Sequence, residues 1–404
     1  MFRFSALLSL LVVALSATAS PILADTPKVT IGFATRFNQT GAANIVAADR
    51  ARIAHLKNRT PSGNGRRAAS FSITNTAVTY TTSVGVGSPA TSYTLLIDTG
   101  SSNTWVGADK SYVKTSTSTN THKSVSVSYG SGSFSGTEYT DKVTLSSDLV
   151  IDSQSIGVAS QSSGFDGVDG ILGIGPVALT EGTVSGVSSV PTVSDNLHSA
   201  GTISTESVGV FFAPTTSESD TNGELTFGGA DSSKYTGTLA YTSLTSTSPA
   251  SEYWGIDQSV SYGGQTILAS TAGIVDTGTT LVYIATDAYN KYVSATGASL
   301  DSTTGLLRIS AAKYADLKTL DFHIGGTAYG LTANAQTWPR SLNSYIGGES
   351  GDIYLVVNDI GNDSGEGLDF IDGYTFLERF YTVFDTTNSR FGIATTSYTS
   401  ATSN

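Results

Sequence analysis

The chain has 404 residues, 39 % of them hydrophobic, with 43 glycines, no cysteine and a formal net charge of −12. This length allows two or three domains with sizeable cores, and the lack of cysteine excludes thiol nucleophiles, thiolate metal sites and disulfides. Four scattered histidines, His55, His122, His198 and His323, do not suit a zinc site, and each reads as an ordinary surface or loop residue; the acidic excess argues against nucleic acid as a partner.

Arg3 precedes an apolar run, Leu7 to Leu15, and then the small residues Ala17-Thr18-Ala19-Ser20. That order predicts a secretory signal over residues 1–20, and so a destination outside the cell or in the vacuole. No later apolar run is long enough to cross a bilayer as a helix, so no membrane partner is expected for the mature form. Residues 21–67 carry eight cations (Lys28, Arg36, Arg50, Arg52, Lys57, Arg59, Arg66, Arg67) against Asp25 and Asp49. They end in Asn64-Gly65-Arg66-Arg67-Ala68, a glycine-containing dibasic stretch suited to proteolytic nicking. We therefore expect a basic propeptide over 21–67 and a mature chain from Ala68. Beyond residue 67, 31 carboxylates face only 12 cations, a balance that favours acidic working conditions.

From Phe71 onward short alternating runs end in Gly, Ser, Asn or Asp clusters, the mark of β-strands. Examples are Thr79 to Gly87, Gly223 to Gly228 and Tyr381 to Asp385. Helical signals are few: residues 192–197, 286–292, and 310–317 with Ser310 in N-cap position. The fold class is thus all-β with few short helices. Val168-Asp169-Gly170-Ile171-Leu172-Gly173-Ile174-Gly175 is echoed by Phe370-Ile371-Asp372-Gly373-Tyr374-Thr375-Phe376-Leu377. A repeat this long implies two duplicated β lobes, which we place at 68–241 and 242–404.

Each half also holds one Asp-Thr-Gly, at Asp98-Thr99-Gly100 and Asp276-Thr277-Gly278, after a run of buried-strand type. Two carboxylates brought together from two halves suit general acid–base cleavage of an amide by water. Rival readings are a non-catalytic binding or inhibitor protein of the same fold, a two-carboxylate glycosidase, and a secreted β-rich adhesin or lectin. A lone Asp-Thr-Gly is a weak signal. Two at half-chain spacing, with Tyr129-Gly130-Ser131-Gly132 about thirty residues after the first, are a strong one.

On these segments, with Trp105-Val106, Asp169-Gly170-Ile171-Leu172-Gly173 and Tyr381-Thr382-Val383-Phe384-Asp385, the mature chain resembles the pepsin-type aspartic proteases, most closely the fungal polyporopepsins. The resemblance implies a bilobal pepsin-like fold with the active-site cleft between two pseudo-two-fold-related lobes. It implies Asp98 and Asp276 as the catalytic pair and no cofactor. Thr99 and Thr277 would bond across the lobe interface, Gly100 and Gly278 would donate backbone N–H groups near the carboxylates, and Ser101 and Thr279 would supply outer hydroxyls. Tyr129 would close a mobile flap whose Gly130, Ser131 and Gly132 flank the substrate, and Trp105 would hydrogen-bond the flap tyrosine. Leu96, Ile171 and Ile284 fit an apolar subsite wall or plain core. Partners implied are protein and peptide substrates cleaved beside bulky apolar residues, the enzyme's own propeptide as inhibitor, and pepstatin-type inhibitors; a monomer is expected.

Asn38, Asn58 and Asn362 begin glycosylation sequons, of which only Asn362 survives processing. One departure stands out. Where the family carries Ile-Leu-Gly-Asp, this chain has Ile371-Asp372-Gly373-Tyr374, which should alter local pKa values or subsite shape.

Overall fold

Two equivalent strand crossings, one in each half of the chain, deliver Asp98 and Asp276 to a shared centre. The computed structural model describes residues 28–37, 45–59, 78–130, 132–216 and 219–402. The expected signal segment, the expected cleavage position at Arg66-Arg67, Asn38 and Ser131 lie outside the described residues.

In chain order the strands of the first half are β1 (Val29–Phe37), β2 (Val78–Val86), β3 (Thr91–Asp98), β4 (Thr104–Val106), β5 (Thr119–Ser128), β6 (Ser133–Thr144), β7 (Val150–Ser163), β8 (Gly170–Gly173), β9 (Ser207–Phe212), β10 (Ser219–Phe227) and β11 (Thr236–Ser243). The second half adds β12 (Gly255–Tyr262), β13 (Gln265–Val275), β14 (Val282–Ile284), β15 (Ser299–Leu300), β16 (Leu307–Ile309), β17 (Leu320–Ile324), β18 (Thr327–Leu331), β19 (Ile353–Leu355), β20 (Val357–Asp359), β21 (Phe370–Asp372), β22 (Phe380–Asp385) and β23 (Arg390–Thr395). Helices are few: α1 (Ile45–Asn58), α2 (Val193–Ser199), α3 (Thr286–Thr296), α4 (Ala311–Ala315) and α5 (Tyr374–Leu377). The mainly-β expectation holds.

Local chemistry explains the helices the sequence announces. Thr192 caps α2 by accepting from Asp195 N while the Asp195 side chain accepts from Thr192 N, a capping box. Ser310 caps α4 by accepting from Lys313 N. Gly297, at φ 64°, ends α3 in the left-handed region where glycine has no steric cost. Helix α1 was not legible, because its basic residues mask a weak apolar face.

The strands form a 13-stranded sheet ordered β11-β23-β22-β9-β10-β1-β2-β3-β8-β4-β7-β6-β5, a seven-stranded sheet ordered β18-β17-β12-β13-β21-β14-β20, and a small three-stranded sheet. Strands β22 and β23 pair with β9 and β11, so a division at residue 241 cuts across a shared sheet. Strand β1, from the basic segment 21–67, sits between β10 and β2. One large apolar core runs through both halves. A smaller second cluster gathers Trp105, Val125, Tyr129, Phe134, Phe165, Val168, Ile171 and Val184. With no disulfide to help, burial carries the stability, at about 1.5–3 kcal/mol for each fully buried large apolar side chain.

Candidate active site

Strand β3 ends at Asp98, pairs in parallel with β8, and β8 pairs antiparallel with β4. The second half repeats this with β13 parallel to β21 and β21 antiparallel to β14. Each aspartate is fully buried at the exit of a central strand, so its direction is set by the sheet rather than by a loop. The repeat seen in the sequence is this crossing.

Across the interface Thr99 N donates to Thr277 Oγ1 at 3.0 Å, and Thr277 N donates to Thr99 Oγ1 at 2.9 Å. The hydroxyls continue to the opposite strands, Thr99 Oγ1 to Val275 O at 3.5 Å and Thr277 Oγ1 to Ile97 O at 3.4 Å. This reciprocal lattice locks the two turns together. Within each turn the carboxylate accepts twice: Asp98 from Gly100 N at 3.0 Å and Ser101 Oγ at 2.5 Å, and Asp276 from Gly278 N at 3.1 Å and Thr279 Oγ1 at 2.6 Å. A methyl group on Gly100 would lie 2.8 Å from Asp276 Oδ1, and one on Gly278 would lie 2.6 Å from Asp98 Oδ1. Each glycine is therefore the space through which the opposite carboxylate reaches the centre.

Between the carboxylates sits a residue that the sequence marks only as one of the eight cations of segment 21–67. Arg52 Nη2 donates to Asp98 Oδ1 at 2.5 Å and to Asp276 Oδ1 at 2.8 Å, and Nε donates to Asp276 Oδ2 at 2.6 Å. Burial alone would push the Asp276 carboxyl up, but the Arg52 charge, its hydrogen bonds and those from Thr279 and Gly278 hold it below the ordinary value. Burial likewise works against the Arg52 charge, yet Asp276 and Asp98 keep that guanidinium protonated well beyond its usual range.

Helix α1 carries Arg52 there on a face that also buries Ile45, Val46, Ala48, Asp49, Ile53 and Leu56, a helical spacing. Asp49 accepts from Thr280 N and Leu281 N, both at 3.1 Å, and burial raises its carboxyl to about 7. At the helix end Tyr253 Oη donates to Leu56 O at 3.1 Å. Lys57 Nζ donates to Ile360 O at 3.0 Å and to Asn362 Oδ1, while Arg59 Nη2 donates to Leu179 O at 2.7 Å. Residues 45–59 thus touch both halves. The signal for this was the spacing of Asp49, Arg52, Ile53 and Leu56, obscured by flanking charge. His55 is also half-buried on this helix, not the surface or loop residue expected; burial and the Arg52 and Arg59 charges lower it to about 4.

The β5–β6 hairpin ends in the flap segment, where Tyr129 N donates to Gly132 O at 2.7 Å. A methyl on Gly130 would fall 2.0 Å from Arg52 Cα, so the flap tip rests directly on α1. Tyr129 is buried, its ring stacked at 6.5 Å and 27° on Trp105. The Trp105 indole, as the resemblance implies, and the Ser101 hydroxyl both act on the Tyr129 hydroxyl as side-chain hydrogen-bond partners. Burial and the Asp98 charge raise the Tyr129 hydroxyl well above its usual value.

Leu96 and Ile171 join the cluster around Trp105 and Tyr129, where a subsite wall would be. Ile284 does not. It is fully buried in the main core on β14 between β20 and β21, so its apolar character serves packing. Asn362 is half-buried and donates from Nδ2 to Asp363 O at 2.8 Å. His122, His198 and His323 are exposed, and among the described residues no group of three or more His, Asp or Glu could hold a metal ion.

Comparison with known proteins agrees with this geometry. The family profile of the eukaryotic aspartyl proteases matches residues 79–396. The chain is 67 % identical over 340 residues to polyporopepsin of Irpex lacteus, an alignment covering 83 % of this chain and 100 % of that protein. It is 31 % identical over 336 residues to gastricsin of Cavia porcellus, covering 77 % and 79 %. The crystal structure of an aspartic proteinase from Irpex lacteus superposes with a TM-score of 0.79 at 68 % identity, over 81 % of this chain and 96 % of that one. Paired Asp-Thr-Gly turns, a two-fold strand crossing and this likeness over most of the chain lead to one conclusion: the chain belongs to the eukaryotic aspartyl protease family and is an aspartic-type endopeptidase.

Proposed function

We propose that this chain is the precursor of a secreted acid endopeptidase, silenced by its own leader and active once Arg52 leaves the two aspartates. The observation that carries the reading is the Arg52 guanidinium bonded to both Asp98 and Asp276. A cleft filled by α1 cannot admit an extended peptide. The excess of carboxylates after residue 67 supports acid release: as they protonate, a basic leader loses its attraction. The Arg66-Arg67 pair supplies a cleavage position downstream of the docked helix.

With Arg52 gone, Asp98 and Asp276 face each other too closely for both to stay ionised, so one holds a proton; aspartic proteases are the type case of this coupling. The ionised member takes a proton from a water between them as that water attacks the scissile carbonyl carbon. The protonated member gives its proton to the carbonyl oxygen, forming a tetrahedral diol without a covalent enzyme intermediate. Collapse returns a proton to the leaving nitrogen and restores the shared proton. Hydrogen bonds from Gly100, Ser101, Gly278 and Thr279 fix the carboxylates throughout, which limits reorganisation. An extended substrate lies as a strand beneath the flap, held by backbone hydrogen bonds. The apolar cluster of Trp105, Phe134, Phe165 and Ile171 supports preference for bulky apolar side chains at the cleaved bond.

The test is direct. The purified full chain is assayed on denatured casein at neutral pH, then after a drop to about pH 4, with and without pepstatin. Silence followed by pepstatin-sensitive activity and loss of the leader supports the reading. An intact chain that is fully active before cleavage sinks it.

A further inference from the structure

The two halves repeat the same strand pairing around their aspartates, which makes a change from apolar to polar residues there informative. Ile97 pairs with Leu172 in the first half, and the equivalent Val275 pairs with Asp372 in the second. Val84 pairs with Tyr93, five residues before Asp98, and its equivalent Gln258 pairs with Thr271, five before Asp276. Leu172 and Val84 are wholly buried core residues. Where the first half places two apolar side chains, the second places an acid and an amide together.

That pair is closed off from water. Asp372 is 0 % and Gln258 is 1 % exposed. Gln258 Nε2 donates to Asp372 Oδ1 at 3.1 Å. Asp372 Oδ2 and Gln258 Oε1 are both buried without a hydrogen-bond partner. Two acceptors left unpaired inside a core cost free energy, but the two orphans belong to partner side chains. A single proton on Oδ2 is the donor that Oε1 lacks.

The acid also sits against the catalytic turn. Asp276 N donates to Asp372 O at 3.2 Å, Tyr374 N to Thr279 O at 2.9 Å and Thr375 N to Thr280 O at 3.2 Å. A methyl on Gly373 would meet Leu281 O at 2.2 Å, so the two segments are in direct backbone contact.

We propose that Asp372 is held as a neutral acid and forms with Gln258 a two-bond acid–amide pair, a positioning device that steadies the strand delivering Asp276 and fails when it ionises. The positioning role rests on the catalytic reading of Asp276; the shared proton does not. Titratable or charged groups on the elements packed around it are Asp276 just after β13, Tyr283 on β14, Tyr374 of α5 with Glu378 and Arg379 just after it, Asp257 and Tyr262 on β12, and Asp321 and His323 on β17. None of these figures among the causes acting on Asp372: burial raises its carboxyl to about 8, with only the Gln258 bond opposing. The sign follows. An unfolded chain releases this proton near 3.8 while the folded chain keeps it to about 8, so the stabilisation is complete below the lower value and drains away as pH rises towards the upper one.

Asp372→Asn tests this in the full chain, because an amide at 372 can donate to Gln258 Oε1 and still accept from Nε2 but cannot ionise. We expect the fall in unfolding stability between pH 4 and pH 8 to be shallower in Asp372→Asn by about one proton's worth. The infrared difference between wild type and Asp372→Asn at pH 6 should show a protonated-carboxyl C=O band. After acid maturation, Asp372→Leu should lose kcat that Asp372→Asn retains. Equal pH slopes, no such band, or an Asn variant as impaired as the Leu variant would overturn the proposal. Should Asp372→Leu fail to fold, the slope and the band decide alone. A neutral pair found in an enzyme that still works when Asp276 is replaced would sink the catalytic reading and leave the pair standing.

Discussion

Arg52 and Asp276 are joined by two hydrogen bonds, Nε to Oδ2 at 2.6 Å and Nη2 to Oδ1 at 2.8 Å, the fork geometry that only arginine offers a carboxylate. The same Nη2 reaches Asp98. One side chain from the leader therefore closes the site contributed by both halves.

Arg52→Ala should release the leader early. Removing one partner of a buried ion pair costs about 3–5 kcal/mol, so inhibition by a synthetic peptide spanning residues 45–59 should weaken roughly 10²–10⁴-fold. Arg52→Lys keeps the charge without the fork and should fall between. Inhibition constants on the matured enzyme measure both; equal potency of the three peptides would contradict the role given to Arg52.

Asp98→Asn and Asp276→Asn keep the size of the side chain but remove the shared titration. Each should lower kcat by about 10²–10⁴-fold or more while the fold survives, as read by circular dichroism. Turnover that is unchanged in either variant excludes a paired-carboxylate mechanism.

Gly278→Ala should be more damaging than its size suggests. Its added methyl would meet Asp98 Oδ1 at 2.6 Å, besides Arg52 Nη2 at 2.4 Å and Cζ at 2.5 Å while α1 is docked. Displacing the carboxylate by about 1 Å should cost roughly 10²-fold in kcat, with a smaller effect on KM. Gly100→Ala is the equivalent test from the other side.

His55→Gln should make maturation need more acid. Docked, His55 stays neutral down to about 4; released, it takes a proton near 6.5. Release therefore gains from acidification between those values and no longer does so below the lower one. Glutamine removes that gain, so the midpoint of activation should move to lower pH and its pH dependence lose about one proton. Asp49 works the other way: it is raised to about 7 when docked, so it favours the docked leader as pH falls. Following leader loss against pH measures the balance, and an unmoved midpoint would remove His55 from the trigger.

Short-range patterns carried much of this. Alternating strands, Thr192 and Ser310 as caps, and the two Asp-Thr-Gly turns depend on neighbours within a few residues, so each was readable from its own segment. The lobe boundary was less so, because β22 and β23 return to the sheet of the first half, a pairing no local pattern encodes. Helix α1 hid behind its charges: its apolar face becomes an apolar face only against the cleft.

Arg52 shows the limit most clearly. Charge counting could place a basic leader near acidic groups, since long-range electrostatics needs only sums. Which cation meets the dyad depends on where α1 docks, and that is decided by Asp49 on Thr280 and Leu281, Leu56 under Tyr253, and Gly130 against the Arg52 backbone. Ile284 and Asp372 teach the same lesson inside the core. Residue type told that one is apolar and the other unusual; packing alone decided that the first sits in the main core and the second faces an amide. Covalent order and composition specify which groups are available and which turns form, because those energies are local. Contacts between groups hundreds of residues apart arise only when the whole chain buries its surface at once.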